Sequence, residues 1–400
     1  MSRTVVVILD GLGVGEMPDV AEVRKQDVGS HTLGHLLEKR PTRLPVLSKL
    51  GLAKILRNSA LLPEVEPVSS YGVCRLAHDG ADTYAGHNEI MGAKPKVPVK
   101  MFMIDVAEEV EAALLEAGFP VSRPISETGV LLVDGKIIVA DNMETDPGQI
   151  INVTGPLDEV PFAKILKVGQ VVRQIVKTSR VIALGGTGVT ARDIINSCIT
   201  RNRQCGVDTP RLNIYNENYQ VRHLGYGINP ETQIPSILQR SGIPVYLYGK
   251  IADVVQGDVE ERDPVVQTAG VFERILSRLD VLKHGLICAT VQETDLAGHE
   301  QDCEKYARVL EISDRGIGQI IDRLEPGDLL IVTADHGNDP TIGHSGHTRE
   351  CTPLMVYRRG ENKTTELGVR DTLADVAATI ADYFQAASPE YGTSIWAGSR

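Results

Sequence analysis

Near the N-terminus, Thr4-Val-Val-Val-Ile-Leu9 forms an uncharged, β-branched run that stops at Asp10-Gly11. Such a run offers no wet face, so as a strand it must be covered on both sides, which is the habit of parallel sheets. Pro244–Tyr248, Leu286–Val291 and Leu329–Thr333 have the same texture. Between and after them lie helical patterns at Pro230–Arg240, stopped by Ser241-Gly242, at Glu304–Leu324 and at Thr372–Phe384. Buried strands alternating with amphipathic helices predict an α/β chain with a mostly parallel sheet flanked by helices.

The middle of the chain reads differently. Val106, Val110, Ala113, Leu114 and Ala117 predict one helix face closed by Gly118, and Phe162–Lys177 a second helix. Gly129–Val133 and Lys136–Ala140 predict a hairpin turning at Asp134-Gly135. This is the pattern of a smaller inserted α+β domain at 97–217, with 1–96 and 218–400 forming the core.

Charge and cysteine usage narrow the partners. With 41 Lys+Arg against 53 Asp+Glu the formal charge is −12, which argues against a nucleic-acid groove or an anionic membrane surface. No apolar stretch approaches the ~18–20 residues of a membrane helix. Six scattered cysteines without a Cys-x-x-Cys pair suggest a reducing compartment, so the expected location is cytoplasmic.

Four places combine hard oxygen ligands with imidazoles. Asp10 ends the first strand, Asp295 and His299 follow the strand at 286–291, Asp335 and His336 follow the strand at 329–333, and His347 lies shortly beyond. Ligands of open α/β sheets bind at the carboxyl ends of the strands. Each piece has a plainer reading: Asp335-His336 before Gly-Asn-Asp-Pro is a turn composition, Asp295 and His299 could share a solvated helix face, and His347 could be an ordinary surface histidine. Asp10 is harder to set aside, because a carboxylate ending a buried strand needs a partner. Together, three carboxylates and three imidazoles could hold two divalent metals, with manganese, zinc or magnesium suited to mixed oxygen and nitrogen ligands.

Asp82-Thr83 before a short helical stretch could be simply an N-cap. The functional alternative places Thr83 at a helix N-terminus, where amides favour phosphate and a metal-activated hydroxyl becomes a nucleophile.

The blocks VVVILDGLGVGEMPD, HTLGHLLE, GADTYAGHNEIMG, GKIADV, LLIVTADHGNDPT and HTREC, with the closing TLADVAATIADYF and PEYGTS, resemble the phosphopentomutase family, within the alkaline-phosphatase-like metalloenzymes. The resemblance implies an alkaline-phosphatase-like core with an inserted cap. It implies Asp10, Asp335 and His336 as ligands of one metal, and Asp295, His299 and His347 as ligands of the other, with Mn2+ the first expectation. Thr83 would carry the phosphoryl group between the metals, Lys250 would lie near the substrate phosphate, and Arg180 and Asp146 would belong to the cap's substrate pocket. The implied reaction interconverts ribose 1-phosphate and ribose 5-phosphate through a phosphothreonine, with a sugar bisphosphate as possible activator.

The chain also departs from that family. Asp295 and His299 are four residues apart, closer to the phosphoglycerate mutase pattern, and Thr209–Tyr215 replaces the family's cap motif. Leu184-Gly185-Gly186 stands where a second cap arginine is expected. The metal centre is thus retained while the sugar-reading pocket is altered. This leaves open a mutase, phosphatase or phosphodiesterase of the same superfamily acting on another phosphorylated small molecule. No role follows for His87, Glu89 or His344.

Overall fold

A computed structural model of the chain describes residues 2–144, 147–212, 214 and 218–397. It divides into two compact units, residues 1–95 with 229–400, and residues 96–228.

The first unit is built on an eight-stranded sheet. Its strands run, in spatial order, Glu261–Asp263, Val245–Tyr248, Gly285–Val291, Arg3–Leu9, Leu329–Thr333, Thr352–Arg358, Ser70–Cys74 and Glu366–Arg370. Arg3–Leu9 lies centrally and pairs in parallel with Gly285–Val291 on one side and Leu329–Thr333 on the other. Only the pairings of Thr352–Arg358 are antiparallel. All seven residues of Arg3–Leu9 are buried, as a strand covered on both faces requires.

The two faces sort by alternation. Val5, Val7 and Leu9 join Ile287, Ala289, Val291, Leu330 and Val332 in one core, covered by the helices Thr32–Lys39, Thr268–Val281 and Cys303–Arg323. Val6 and Ile8 join Leu286, Cys288, Leu329 and Ile331 in the other, covered by Ile234–Arg240, Lys250–Val254 and Asp375–Phe384. Fully burying each such aliphatic side chain contributes roughly 1.5–3 kcal/mol, so the central strands are the part of the fold least able to move. The helix expected at Pro230–Arg240 is instead a 3-10 turn, Pro230–Thr232, followed by a helix that starts at Ile234.

The second unit holds a six-stranded sheet in the order Gln220–Gly225, Arg180–Gly186, Ile150–Pro156, Ile137–Asp141, Leu131–Val133 and Val121–Ser122. The helices Met103–Glu116 and Phe162–Ile175 cover one face through Val106, Val110, Leu114, Ile165, Val168 and Val172. Met103 and Ala107 complete the buried stripe of the first helix, whereas Ala117 is exposed beyond its end. Asp134 and Gly135 turn the hairpin with φ of 51° and 67°, the left-handed pair that a two-residue hairpin turn demands. The unit extends past residue 217 because Gln220–Gly225 pairs antiparallel with Arg180–Gly186 along its whole length.

Candidate metal centre

Three parallel strands end side by side: Leu9 is in register with Val291, and Ile8 with Thr333. Asp10, the Glu293–His299 helix and Asp335-His336 therefore emerge at one edge of the sheet. The Thr83–Ile90 helix reaches the same place; a Cβ on Gly86 would lie 2.6 Å from the Asp335 carbonyl oxygen, so only glycine lets the helix approach this closely. Gly11, at φ +74°, turns the chain directly after Asp10 where a Cβ would meet Asn338 and Asp295.

The six ligand candidates form one cluster. His336 Nε2 lies 3.6 Å from Asp10 Oδ1 and 3.1 Å from Asp335 Oδ2. His299 Nε2 and His347 Nε2 each lie 3.4 Å from the Asp295 carboxylate and 3.1 Å from one another. The His336 and His347 rings stack with centroids 3.9 Å apart, joining the two halves. By distance alone, His336 also groups with Asp295 and His347, and His87 with Asp10 and Asp335.

Each of the three ligand-candidate imidazoles has its Nδ1 occupied by a backbone carbonyl: His299 with Ser345 at 2.6 Å, His336 with Gly337 at 2.9 Å, and His347 with Ala81 at 2.8 Å. A carbonyl only accepts, so Nδ1 donates and the neutral ring turns a bare Nε2 lone pair toward the cluster. His336 Nε2 and Asp10 Oδ1 are buried without a hydrogen-bond partner. Unpaired acceptors buried against one another are costly unless a cation lies among them, and nitrogen with carboxylate oxygen is a donor set that divalent metals favour. The residues present fit such an ion.

Charge tells the same story. Burial, followed by the neighbouring Asp335 and Asp295 carboxylates, pushes the Asp10 carboxyl well above the ordinary carboxylate range. Asp335 is held well below that range although burial opposes it, chiefly by the His336 and His87 rings where these carry a second proton. Asp295 is likewise held low against burial where a proton on the Nε2 of His299 and His347 takes the place of an ion and donates to it. The Lys250 ammonium reaches both halves, 2.6 Å from Asp10 Oδ2 and 2.9 Å from Asp295 Oδ2. One ammonium against three clustered carboxylates leaves a deficit of positive charge.

Thr83 opens its helix at this cluster. The N-cap Asp82 accepts from the Ala85 amide, and Thr83 Oγ1, half-buried, donates to Asp335 Oδ2 at 2.7 Å. Arg180 is the first residue of the strand Arg180–Gly186, in the second unit. Asp146 lies outside the described residues, as do Asn213 and Tyr215 of the substituted cap segment.

Sequence reasoning missed the residues that brace the centre. Asn338 Nδ2 donates to both the carbonyl and the carboxylate of Asp295. Thr294 Oγ1 donates to the Asp10 carbonyl and Tyr306 OH to the Gly11 carbonyl. Buried Glu350 accepts from Thr32, Thr348 and Gly15, while Arg349 holds the 76–80 segment through three carbonyls and pairs with Asp19. Glu89 accepts from Ala77, His78, Thr372 and Leu373, which makes it a knot behind the Thr83 helix. Glu89, Asn338, Arg349 and Glu350 sit inside the matching blocks and Thr294 and Tyr306 outside them, but a partner hundreds of residues away leaves no local trace. His344 Nε2 pairs with Asp27, tying down the loop before His347.

A metalloenzyme-superfamily profile matches residues 2–388. The chain belongs to the metalloenzyme superfamily. It is 30% identical, over 99% of its length, to phosphopentomutase of Caldanaerobacter subterraneus subsp. tengcongensis, spanning 97% of that protein. It is 32% identical, again over 99% of its length, to phosphopentomutase of Anaeromyxobacter sp., spanning 98% of it. Among solved structures, Leishmania mexicana phosphoglycerate mutase aligns over 98% of the chain at 15% identity with a TM-score of 0.46. Within the superfamily the chain is a metal-dependent phosphomutase, an isomerase, with an α/β core of a mostly parallel sheet flanked by helices. No helix among the described residues is long and apolar enough to cross a membrane.

Proposed function

We propose that this metalloenzyme moves a phosphoryl group within a pentose phosphate, interconverting ribose 1-phosphate and ribose 5-phosphate, with Thr83 as the transient carrier. The observation that carries this reading is the Thr83 hydroxyl, which stands at a helix N-terminus and donates to Asp335 in the midst of the cluster. In this reading Asp10, Asp335 and His336 hold one divalent ion and Asp295, His299 and His347 the other, with Mn2+ the first choice and Zn2+ or Mg2+ alternatives. Bound there, the two ions would polarise phosphoryl oxygens and favour the ionised threonine hydroxyl.

The chain's own groups supply the rest. The first amides of the Thr83 helix and its dipole favour a phosphate on the hydroxyl. Lys250, anchored between Asp10 and Asp295, offers a mobile cation to the substrate phosphate once the carboxylates find other counter-ions. Arg180 is nominated from the second unit by resemblance. A sugar bisphosphate first phosphorylates Thr83; the phosphothreonine then gives its group to the free hydroxyl of the pentose phosphate, a bisphosphate forms, and its other phosphate returns to Thr83 as the isomeric monophosphate leaves. Six free thiols fit a cytoplasmic setting.

The test is to load the protein with Mn2+ and supply ribose 5-phosphate or ribose 1-phosphate, with and without a pentose bisphosphate. Isomerisation without phosphate release is expected. Release of inorganic phosphate outpacing isomerisation would instead identify a phosphatase, and no turnover of either pentose phosphate would remove the substrate assignment.

A further inference from the structure

The Thr83 helix brings a second side chain to the centre, one turn beyond the hydroxyl. His87 is fully buried. Its Nδ1 lies 2.9 Å from the Thr83 carbonyl, 3.0 Å from Asp335 Oδ2 and 3.3 Å from Thr83 Oγ1. Its Nε2 lies 2.9 Å from Thr290 Oγ1, on the strand Gly285–Val291. The ring therefore links the helix to groups carried by two core strands.

The partners decide where the proton is. A carbonyl and an ionised carboxylate only accept, so Nδ1 must carry hydrogen; bare, it would face two lone pairs in a buried space. Nδ1 is then no base for the Thr83 hydroxyl, whose acceptor is Asp335 Oδ2 at 2.7 Å. Nor does His87 have a lone pair free for an ion, since the Thr290 hydroxyl faces Nε2. His336 differs, because its Nε2 is buried without a hydrogen-bond partner.

We infer that His87 is a positioning residue for the phosphoryl-transfer step, a reading that rests on Thr83 being the carrier. Its Nδ1–H holds Asp335 Oδ2 against the first turn of the Thr83 helix, and Thr290 fixes the ring so that Nδ1 points nowhere else. Hydroxyl and carboxylate are thus kept in one geometry. Donors of this kind behind a metal-ligating carboxylate are commonly worth about 10–100-fold in metal affinity or activity.

The experiment measures the rate at which Thr83 is phosphorylated by a pentose bisphosphate in the Mn2+-loaded protein, by quenched flow and phosphopeptide mass spectrometry, beside kcat, KM and thermal melting. His87→Ala is expected to slow phosphorylation about 10–100-fold with KM and melting little changed. His87→Asn, which places an amide N–H near the Nδ1 position, should recover part of the rate, and Thr290→Val should lose a smaller part. Wild-type rates in His87→Ala, or no recovery by His87→Asn, would overturn the inference while leaving Thr83 as the carrier. Absence of phosphate on Thr83 in the wild type would remove both readings. If His87→Ala fails to fold, Thr290→Val decides, and an unchanged rate there overturns the inference.

Discussion

His299 Nε2 faces His347 Nε2 at 3.1 Å, and both rings have their Nδ1 committed to backbone carbonyls. Two neutral imidazoles so arranged oppose lone pair to lone pair. A proton or a metal ion between them turns repulsion into attraction, so this half of the centre is strained until a cation arrives. Metal should therefore stabilise the fold. Saturation at one hundred times the dissociation constant contributes about 2.7 kcal/mol per site, and calorimetric melting against Mn2+ concentration is expected to show a progressive rise after chelator treatment. A melting temperature that ignores the metal would contradict the geometry.

Metal binding should also depend on pH. The Asp10 carboxyl is raised above its unfolded value by burial and by Asp335 and Asp295, so the metal-free fold holds a proton there that the unfolded chain has already lost. This group's contribution to metal-free stability is present at low pH and falls as pH rises from the unfolded carboxylate range through the raised value. An ion must displace that proton. Apparent Mn2+ affinity is accordingly expected to strengthen as pH rises, with protons released, and titration calorimetry in buffers of different ionisation heat checks it. Affinity independent of pH and heat independent of buffer would count against Asp10 as a ligand.

Thr83→Ala removes the half-buried hydroxyl and nothing that the sheet needs. Isomerisation is expected to fall to background while stability changes by about 1 kcal/mol, because Asp335 retains its bond from the Gly11 amide. Chemical denaturation beside a coupled isomerase assay reads both. Full turnover in this variant would end the phosphothreonine scheme.

Gly86→Ala tests the approach of the Thr83 helix. The new Cβ would meet the Asp335 carbonyl oxygen at 2.6 Å and its Cβ at 2.9 Å, a backbone atom and the side-chain atom bonded directly to the backbone, just after a central strand. Overpacking of this kind costs about 1–3 kcal/mol, and pushing the hydroxyl away from Asp335 should lower kcat more than KM. Urea unfolding with steady-state kinetics separates the two effects.

The sheet was legible because its central strands are buried on both faces: residues such as Val5–Leu9 and Leu329–Val332 leave no polar position to mislead, and helices such as Cys303–Arg323 repeat their apolar stripe for several turns. The candidate cluster was visible only in outline: Asp10 directly follows a buried strand and asks for a partner, whereas Asp335-His336, Asp295 with His299, and His347 each have a plainer reading until the fold gathers them. What the sequence concealed is support at a distance. Asn338 grips Asp295 and His87 grips Asp335, yet an asparagine in a turn and a histidine inside a helix look ordinary until folding brings their partners within 3 Å. In Pro230–Arg240 the Ser241-Gly242 stop marks the end of the helix but nothing fixes its start, which Pro235 in the first turn of Ile234–Arg240 sets after the 3-10 turn Pro230–Thr232.

The most direct measurement is the metal content of the purified chain after Mn2+ loading and removal of excess ion, by plasma mass spectrometry on wild type and on Asp10→Ala and His299→Ala. Two ions per chain in the wild type, with each substitution lowering the count, is the predicted result. A wild-type chain that retains no ion, or variants that bind as many as the wild type, would contradict a bimetallic centre built from these six side chains.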